Sequence, residues 1–423
     1  TESVMITATI DAHEKRDVMC SDVPNAFVQT GVPPERKKPG KRFVMKITGT
    51  MVNILLEIDR KKYKPFVVHD KKGNKILYVV MDKALYGMIQ SSLLYYNKFV
   101  SDITKIGFKL NPYDPCVANR MVNGKQHTIT WHVDDIKSSH VDSKVNDQFH
   151  DWLQKQYGDV SEVKSSRGKV HDYLGMDLDY SIEGKVGIDM RKYVNDLWKD
   201  FNKIDPITNS QYPWDTNLFM VDVSSPALQS GRADHFITFV YRALFVSKRA
   251  RQDISPAVAF LTTRVKAPTV EDWAKLKKMM RFLKNTAEDV MYLEADNMRS
   301  FKWHLDAAFA VHNDYRSHTG ATMTMGKGVI QSVSTKQKIN TRSSTEAELV
   351  SFDDIVSKCV WTKLFYEAQG YDLKENLVYR DNQSTMKLEL NGKASSGKRT
   401  RHFNIKYFFV TDLIHRGEVQ TRY

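Results

Sequence analysis

The chain has 423 residues, 41% hydrophobic and 11% aromatic, and its 63 basic against 50 acidic side chains leave a net charge of +13. That length implies two or three domains with packed cores, and the charge points to a polyanionic partner, nucleic acid before a membrane surface. Every apolar run falls short of the roughly 18 to 20 residues of a membrane span, and no secretory leader pattern opens the chain.

Cys20, Cys116 and Cys359 stand singly without metal-ligand spacing, which argues against a structural zinc and for buried thiols in a reducing compartment. Starting at Thr1, the sequence reads as a piece of a longer product. Between Asp17 and Phe27 an apolar approach delivers Asp22 to the end of a strand, which Pro24 and Asn25 break. Pro33 to Lys41 is a basic, exposed loop, and Lys61 to Asp82 a hairpin turning at Lys72-Gly73-Asn74, with Ile76, Tyr78 and Val80 alternating beyond it. Lys83 to Ser92, with Gly87 and Gln90, leads into an aromatic helix through Phe99. A glycine at such a place lets a flat ligand or a backbone approach closely.

Thr128, Ile129, Thr130, Trp131 and Val133 are β-formers, which puts Asp134-Asp135 at a hairpin tip. Two adjacent carboxylates are costly to bury unless a cation neutralises them. A hard divalent ion such as Mg²⁺ suits them. Val145 to Tyr157 is an amphipathic helix and Tyr173 to Leu178 a strand. In the middle of the chain Tyr193, Leu197 and Phe201 recur at helical spacing, and Glu271 to Lys284 turns Trp273, Leu276, Met280 and Leu283 inward with its lysines outward. Phe301 to Asp306 is a strand with an acid near its end, and Thr319 to Thr335 supplies further strands with glycine turns. Ser343 or Ser344 caps a helix whose first turn carries Glu346 and Glu348, and Leu377 to Asp381 is another strand ending in an acid.

In that order the pieces resemble the reverse transcriptase and ribonuclease H of copia-type LTR retrotransposons. Asp22-Val23 to Ala26-Phe27 resembles the family's first catalytic motif, Lys83 to Ser92 its Lys-Ala-Leu-Tyr-Gly motif, and His132 to Asp135 its Tyr-Val-Asp-Asp. Arg251 to Ile254 and Trp273 to Thr286 resemble the link from polymerase to nuclease, and Ser317-His318-Thr319-Gly320 through Ser343 to Glu348 resembles its nuclease. The resemblance implies an α+β polymerase palm and fingers over residues 1–180, a helical thumb and connection over 181–297, and an α/β ribonuclease H-like domain over 298–423.

By the same resemblance Asp22, Asp134 and Asp135 are the polymerase ligands for two Mg²⁺ ions, Mn²⁺ being the alternative, with Val23 among the metal-contacting positions. Phe27 lies against the sugar of the incoming nucleotide, where a flat ring excludes a 2′-hydroxyl, and Gly87 and Gln90 belong to the nucleotide side. Asp306, Glu348 and Asp381 are the nuclease ligands. Glu346 and Glu348 lie about 200° apart around a helix, so one alone faces the site, and the family pattern favours Glu348. His402 is the group for product release. The implied partners are RNA template, DNA primer, RNA/DNA hybrid, dNTPs and other parts of the polyprotein, with no membrane, in an intracellular, cytoplasmic, virus-like particle.

Four departures stand out. His132 replaces the usual Tyr, Ile89 and Ser92 replace a Lys and a Pro, Asn404 stands for a fourth acid, and 21 residues precede Asp22 where the family carries a longer fingers segment. The rival expectation is a degenerate or co-opted remnant that binds RNA or hybrid without catalysis.

Overall fold

The computed structural model describes residues 1–36, 38–392 and 409–423. The described residues form a mixed α+β structure with four sheets, three of them antiparallel and one mixed. The six-stranded antiparallel sheet runs, edge to edge, Lys109–Asn111, Asp114–Val122, Lys125–His132, Asp135–His140, Asp17–Asp22 and Lys164–Ser166. Its β-branched and aromatic residues pack on two amphipathic helices. Tyr95, Phe99 and Ile103 from Ser91–Lys105, and Phe149, Leu153 and Tyr157 from Ser143–Tyr157, share one apolar cluster with Met19, Ile129 and Trp131. The second of these helices begins where the Asp142 carboxylate accepts the Lys144 N–H at 3.0 Å.

A small sheet of Val44–Thr48, Lys75–Val80 and Val67–His69 holds the expected turn at Gly73. Residues 60–66 before it are helical, not strand, and Ile76 is buried while Tyr78 and Val80 face outward.

Tyr173 to Leu178 is not one strand. The chain folds back between Val170–Tyr173 and Met176–Asp179 through Leu174 (φ 55°) and Gly175 (φ 76°), two left-handed residues that close a two-residue hairpin. An apolar run containing one glycine hides such a turn, because leucine rarely takes that conformation. These strands join Lys185–Asp189, Met291–Ala295 and Gly326–Lys327 in a five-stranded antiparallel sheet, against which the helices Arg191–Ile204, Ser230–Ser247 and Val270–Asn285 share a core. The last of them starts in a full capping box between Thr269 and Asp272.

The mixed sheet runs Gln331–Lys336, His318–Thr324, Ser300–Ala308, Glu375–Tyr379 and Gln420–Arg422, the last three parallel. Phe301, Trp303 and Leu305 face the long helix Ser344–Ala368, leaving His304 and Asp306 exposed on the opposite side.

An unexpected element is the first helix, Glu2–His13, buried along nearly its whole length. A helix enclosed on all sides has no polar face, so no amphipathic period announces it. Its Asp11 carboxylate accepts a bond from Lys137, both side chains being 1% exposed. Just beyond it Arg16 donates to Thr128 and to Tyr371, each at 2.9 Å. Asn111 donates to the Phe365 carbonyl and Trp361 to the Tyr113 carbonyl, both at 3.0 Å, so the six-stranded sheet is fastened to the end of the long helix.

Candidate metal centres

Asp22 closes its strand, and the register sets it opposite Asp135, the first residue of the neighbouring strand, which itself faces His132 across the hairpin. Val133 and Asp134 make the turn. Val133 sits at φ 57°, a strained conformation for a β-branched residue. The Val23 N–H donates to the Asp134 carbonyl at 3.1 Å, which ties the first acid's strand to the turn. Burial, then the neighbouring Asp134 and Asp22, pushes the Asp135 carboxyl above its ordinary range.

Phe27 is a buried member of the core, 9% exposed, with its ring 4.6 Å from that of Tyr86 and 6.3 Å from that of Tyr95. Gly87 (φ 90°) has open space where a side chain would stand, Gln90 sits at the start of Ser91–Lys105, and Ile89 is 92% exposed. The loop's contribution to the centre is a residue the motif did not single out. The Tyr86 hydroxyl donates to Asp134 Oδ2 at 3.3 Å.

The second centre gathers Asp306 from a strand, Glu348 from the first turns of the long helix, and Asp381 from just beyond a parallel strand. One carboxylate oxygen of each lies within 4.8 Å of the others, Glu348 buried and both aspartates exposed. Among the described residues this is the trio that draws so close. Three oxygen donors this close suit a hard divalent cation.

Glu346 points elsewhere. Its carboxylate accepts the Arg342 N–H at 2.6 Å while the Ser343 hydroxyl accepts the Glu346 N–H at 3.1 Å, so it serves the helix start. Glu348 Oε1 accepts the Ala307 N–H at 3.1 Å and Oε2 accepts Arg380 at 2.8 Å. Burial raises the Glu348 carboxyl and Asp306 adds to that, while Arg380 opposes it. Trp214, His304, Tyr379 and Tyr423 line the groove over Asp306 and Asp381. His402 and Asn404 lie outside the described residues.

No family model matches the chain. Among curated proteins it is 25% identical over 81% of its length to the retrovirus-related Pol polyprotein from transposon TNT 1-94 of Nicotiana tabacum, and 28% identical over 80% to that from transposon RE1 of Arabidopsis thaliana. It is 22% identical over 64% of its length to the putative transposon Ty5-1 protein of Saccharomyces cerevisiae, covering 86% of that protein. The chain is a distant homologue of copia-type retrotransposon Pol polyproteins. It spans 26% and 22% of the tobacco and Arabidopsis polyproteins.

Against that relationship, the side chains that sequence reading passed over are Tyr86, Arg380 and Glu389. Tyr86 lies inside the Lys83 to Ser92 motif, next to its glycine. Arg380 adjoins Asp381, but Glu389, with which it also forms a buried ion pair, comes from the following helix Gln383–Asn391, and nothing local marks the pair. Among the described residues no helix is long and apolar enough to cross a membrane.

Proposed function

We propose that the chain is the reverse transcriptase and ribonuclease H portion of a retrotransposon Pol polyprotein. In this reading residues 1–180 form fingers and palm, 181–297 thumb and connection, and 298–423 the nuclease. The observation that carries it is the meeting of Asp306, Glu348 and Asp381 within 4.8 Å, in the same chain as a hairpin-borne acid pair set opposite Asp22. One acidic cluster is common on protein surfaces. This one stands on a basic chain related to Pol polyproteins, together with three further acids that a hairpin and its neighbouring strand bring near one another. A polyanionic substrate held through divalent ions would serve both.

Divalent ions bound at the two centres would lower the pKa of an attacking hydroxyl or water and offset the charge that gathers on phosphorus. The chain's own residues do the rest. Asp22 and Asp135 present oxygens across one strand pair, and Asp134 presents its own from the turn. Phe27, packed in the core against Tyr86, would be the flat ring that excludes a 2′-hydroxyl, and the open space at Gly87 would be the approach for the nucleotide. At the second centre Glu348 is held from two sides while the exposed aspartates face the groove, where the RNA strand of a hybrid lies. The surplus of basic side chains tracks the phosphates of template and primer. The substrates are RNA template, DNA primer and dNTPs, and the setting is an intracellular particle built from the same polyprotein.

Extension of a DNA primer on an RNA template, run beside cleavage of a labelled RNA/DNA hybrid, tests this. Asp134→Asn is expected to lower extension alone, and Asp306→Asn cleavage alone, each on the order of 10³-fold. If the unsubstituted chain does neither in Mg²⁺ or Mn²⁺, the enzyme reading fails and a non-catalytic hybrid-binding remnant replaces it.

A further inference from the structure

Tyr379, Arg380 and Asp381 all border the groove, but strand alternation at the end of Glu375–Tyr379 turns the Arg380 side chain the other way, beneath the long helix. The Arg380 side chain is fully buried, as is that of Glu389 from the helix Gln383–Asn391. One guanidinium serves both neighbours. It donates to Glu389, to Glu348 Oε2 at 2.8 Å and to the Glu348 carbonyl, and it lies over the Phe352 ring at 5.5 Å. The Ser351 hydroxyl donates to the same carbonyl at 2.6 Å, and the backbone N–H of Arg380 to the Arg422 carbonyl at 2.9 Å.

A buried ion pair contributes little net stability, and apolar residues of similar volume often serve as well. This one reaches out of the core at Glu348. With Ala307 on Oε1 and Arg380 on Oε2, both oxygens of that carboxylate are oriented by the protein itself. The guanidinium also brings a positive charge beside a cation site, which opposes cation binding. Glu389 carries the charge that cancels it.

We propose that Arg380 is a positioning residue for Glu348 and that Glu389 is its charge compensator, so that the buried pair orients a metal-binding carboxylate without weakening the centre's attraction for a divalent ion. This deepens the nuclease reading and rests on it.

Two variants separate the roles. Arg380→Met with Glu389→Met removes the pair at constant net charge. At saturating Mg²⁺ and pH 8 its hybrid cleavage should fall about 10- to 100-fold with little change in the Mg²⁺ concentration for half-maximal rate. The near-isosteric Glu389→Gln leaves the Arg380 charge uncompensated. Its half-maximal Mg²⁺ concentration should rise about tenfold while the rate at saturation is kept. Primer extension by the same molecules reports that they are folded, and Glu389→Gln carries the test alone if the double variant loses extension. Native rate and native Mg²⁺ dependence in a folded variant overturn the proposal.

Should the unsubstituted chain cleave no hybrid, the nuclease reading fails by itself. Calorimetric titration with Mg²⁺, with Asp306→Asn as the blank, then decides. About tenfold weaker binding in Glu389→Gln supports the pair's role, and unchanged binding overturns it.

Discussion

Beneath Asp22 and Asp135 lies a buried pair, Lys137 with Asp11; beneath Asp306 and Asp381 lies another, Arg380 with Glu389. Lys137 stands two residues after Asp135 on the same strand, yet its bond goes to the first helix, where Arg16 also approaches Asp11 at 3.9 Å. The spacing of the three aspartates comes from backbone instead, from the pairing of Asp22 with Asp135 and a two-residue turn. At the second centre Arg380 bonds to Glu348 itself. Acids carried on adjacent antiparallel strands are placed by their ladder. A carboxylate on a longer side chain, reaching from a helix, needs a partner to hold it. A buried charge can thus anchor a scaffold in one place and aim a ligand in the other.

The sharpest way to break this contrast is Lys137→Met. It leaves Asp11 buried with a distant partner, and the expected loss is about 3 to 5 kcal/mol of stability in urea unfolding. Primer extension per folded molecule should stay within about twofold. Extension lost in a stably folded variant would mean that this pair, too, aims the centre.

Next comes pH. Burial pushes the Glu389 carboxyl up to about 7 from its ordinary 4.5, against the pull of Arg380. Between those values the folded chain holds a proton that the unfolded chain has released, so this group's contribution to stability falls as pH rises through that window. Urea unfolding from pH 4.5 to 7 should show the decline, and Glu389→Gln should flatten it. An identical slope in the variant would assign the effect to other groups.

A smaller effect separates the two glutamates of the long helix. Glu346→Ala removes an acceptor at the helix start and should cost about 1 kcal/mol in thermal unfolding, with hybrid cleavage kept. Glu348→Gln should remove cleavage, and equal losses in the two would undo the assignment.

The smallest concerns Tyr86, whose hydroxyl donates to one oxygen of Asp134, a carboxylate proposed to hold a cation. Tyr86→Phe should lower the Mg²⁺ needed for half-maximal extension about two- to fivefold, the worth of one exposed hydrogen bond. An increased requirement would show that the hydroxyl helps to build the centre.

The sequence by itself determined where the acids stand along the chain and what local structure carries most of them. Alternating β-formers ran into Asp134-Asp135, an apolar approach ended at Asp22, and a serine-capped start placed Glu346 and Glu348 on a helix. Those features are local, since strand period, helix period and cap chemistry act over a few neighbouring residues. The expected helix over Val145 to Tyr157 is observed as Ser143–Tyr157 for the same reason. Tertiary structure alone decided that Glu2–His13 is a buried helix, that Leu174 bends a hairpin, that Tyr86 reaches Asp134, and that Arg380 stands between Glu348 and Glu389. Each of these depends on which distant groups remove a charge or an apolar face from water, and that cost is set by the whole packing, which no short stretch of sequence contains.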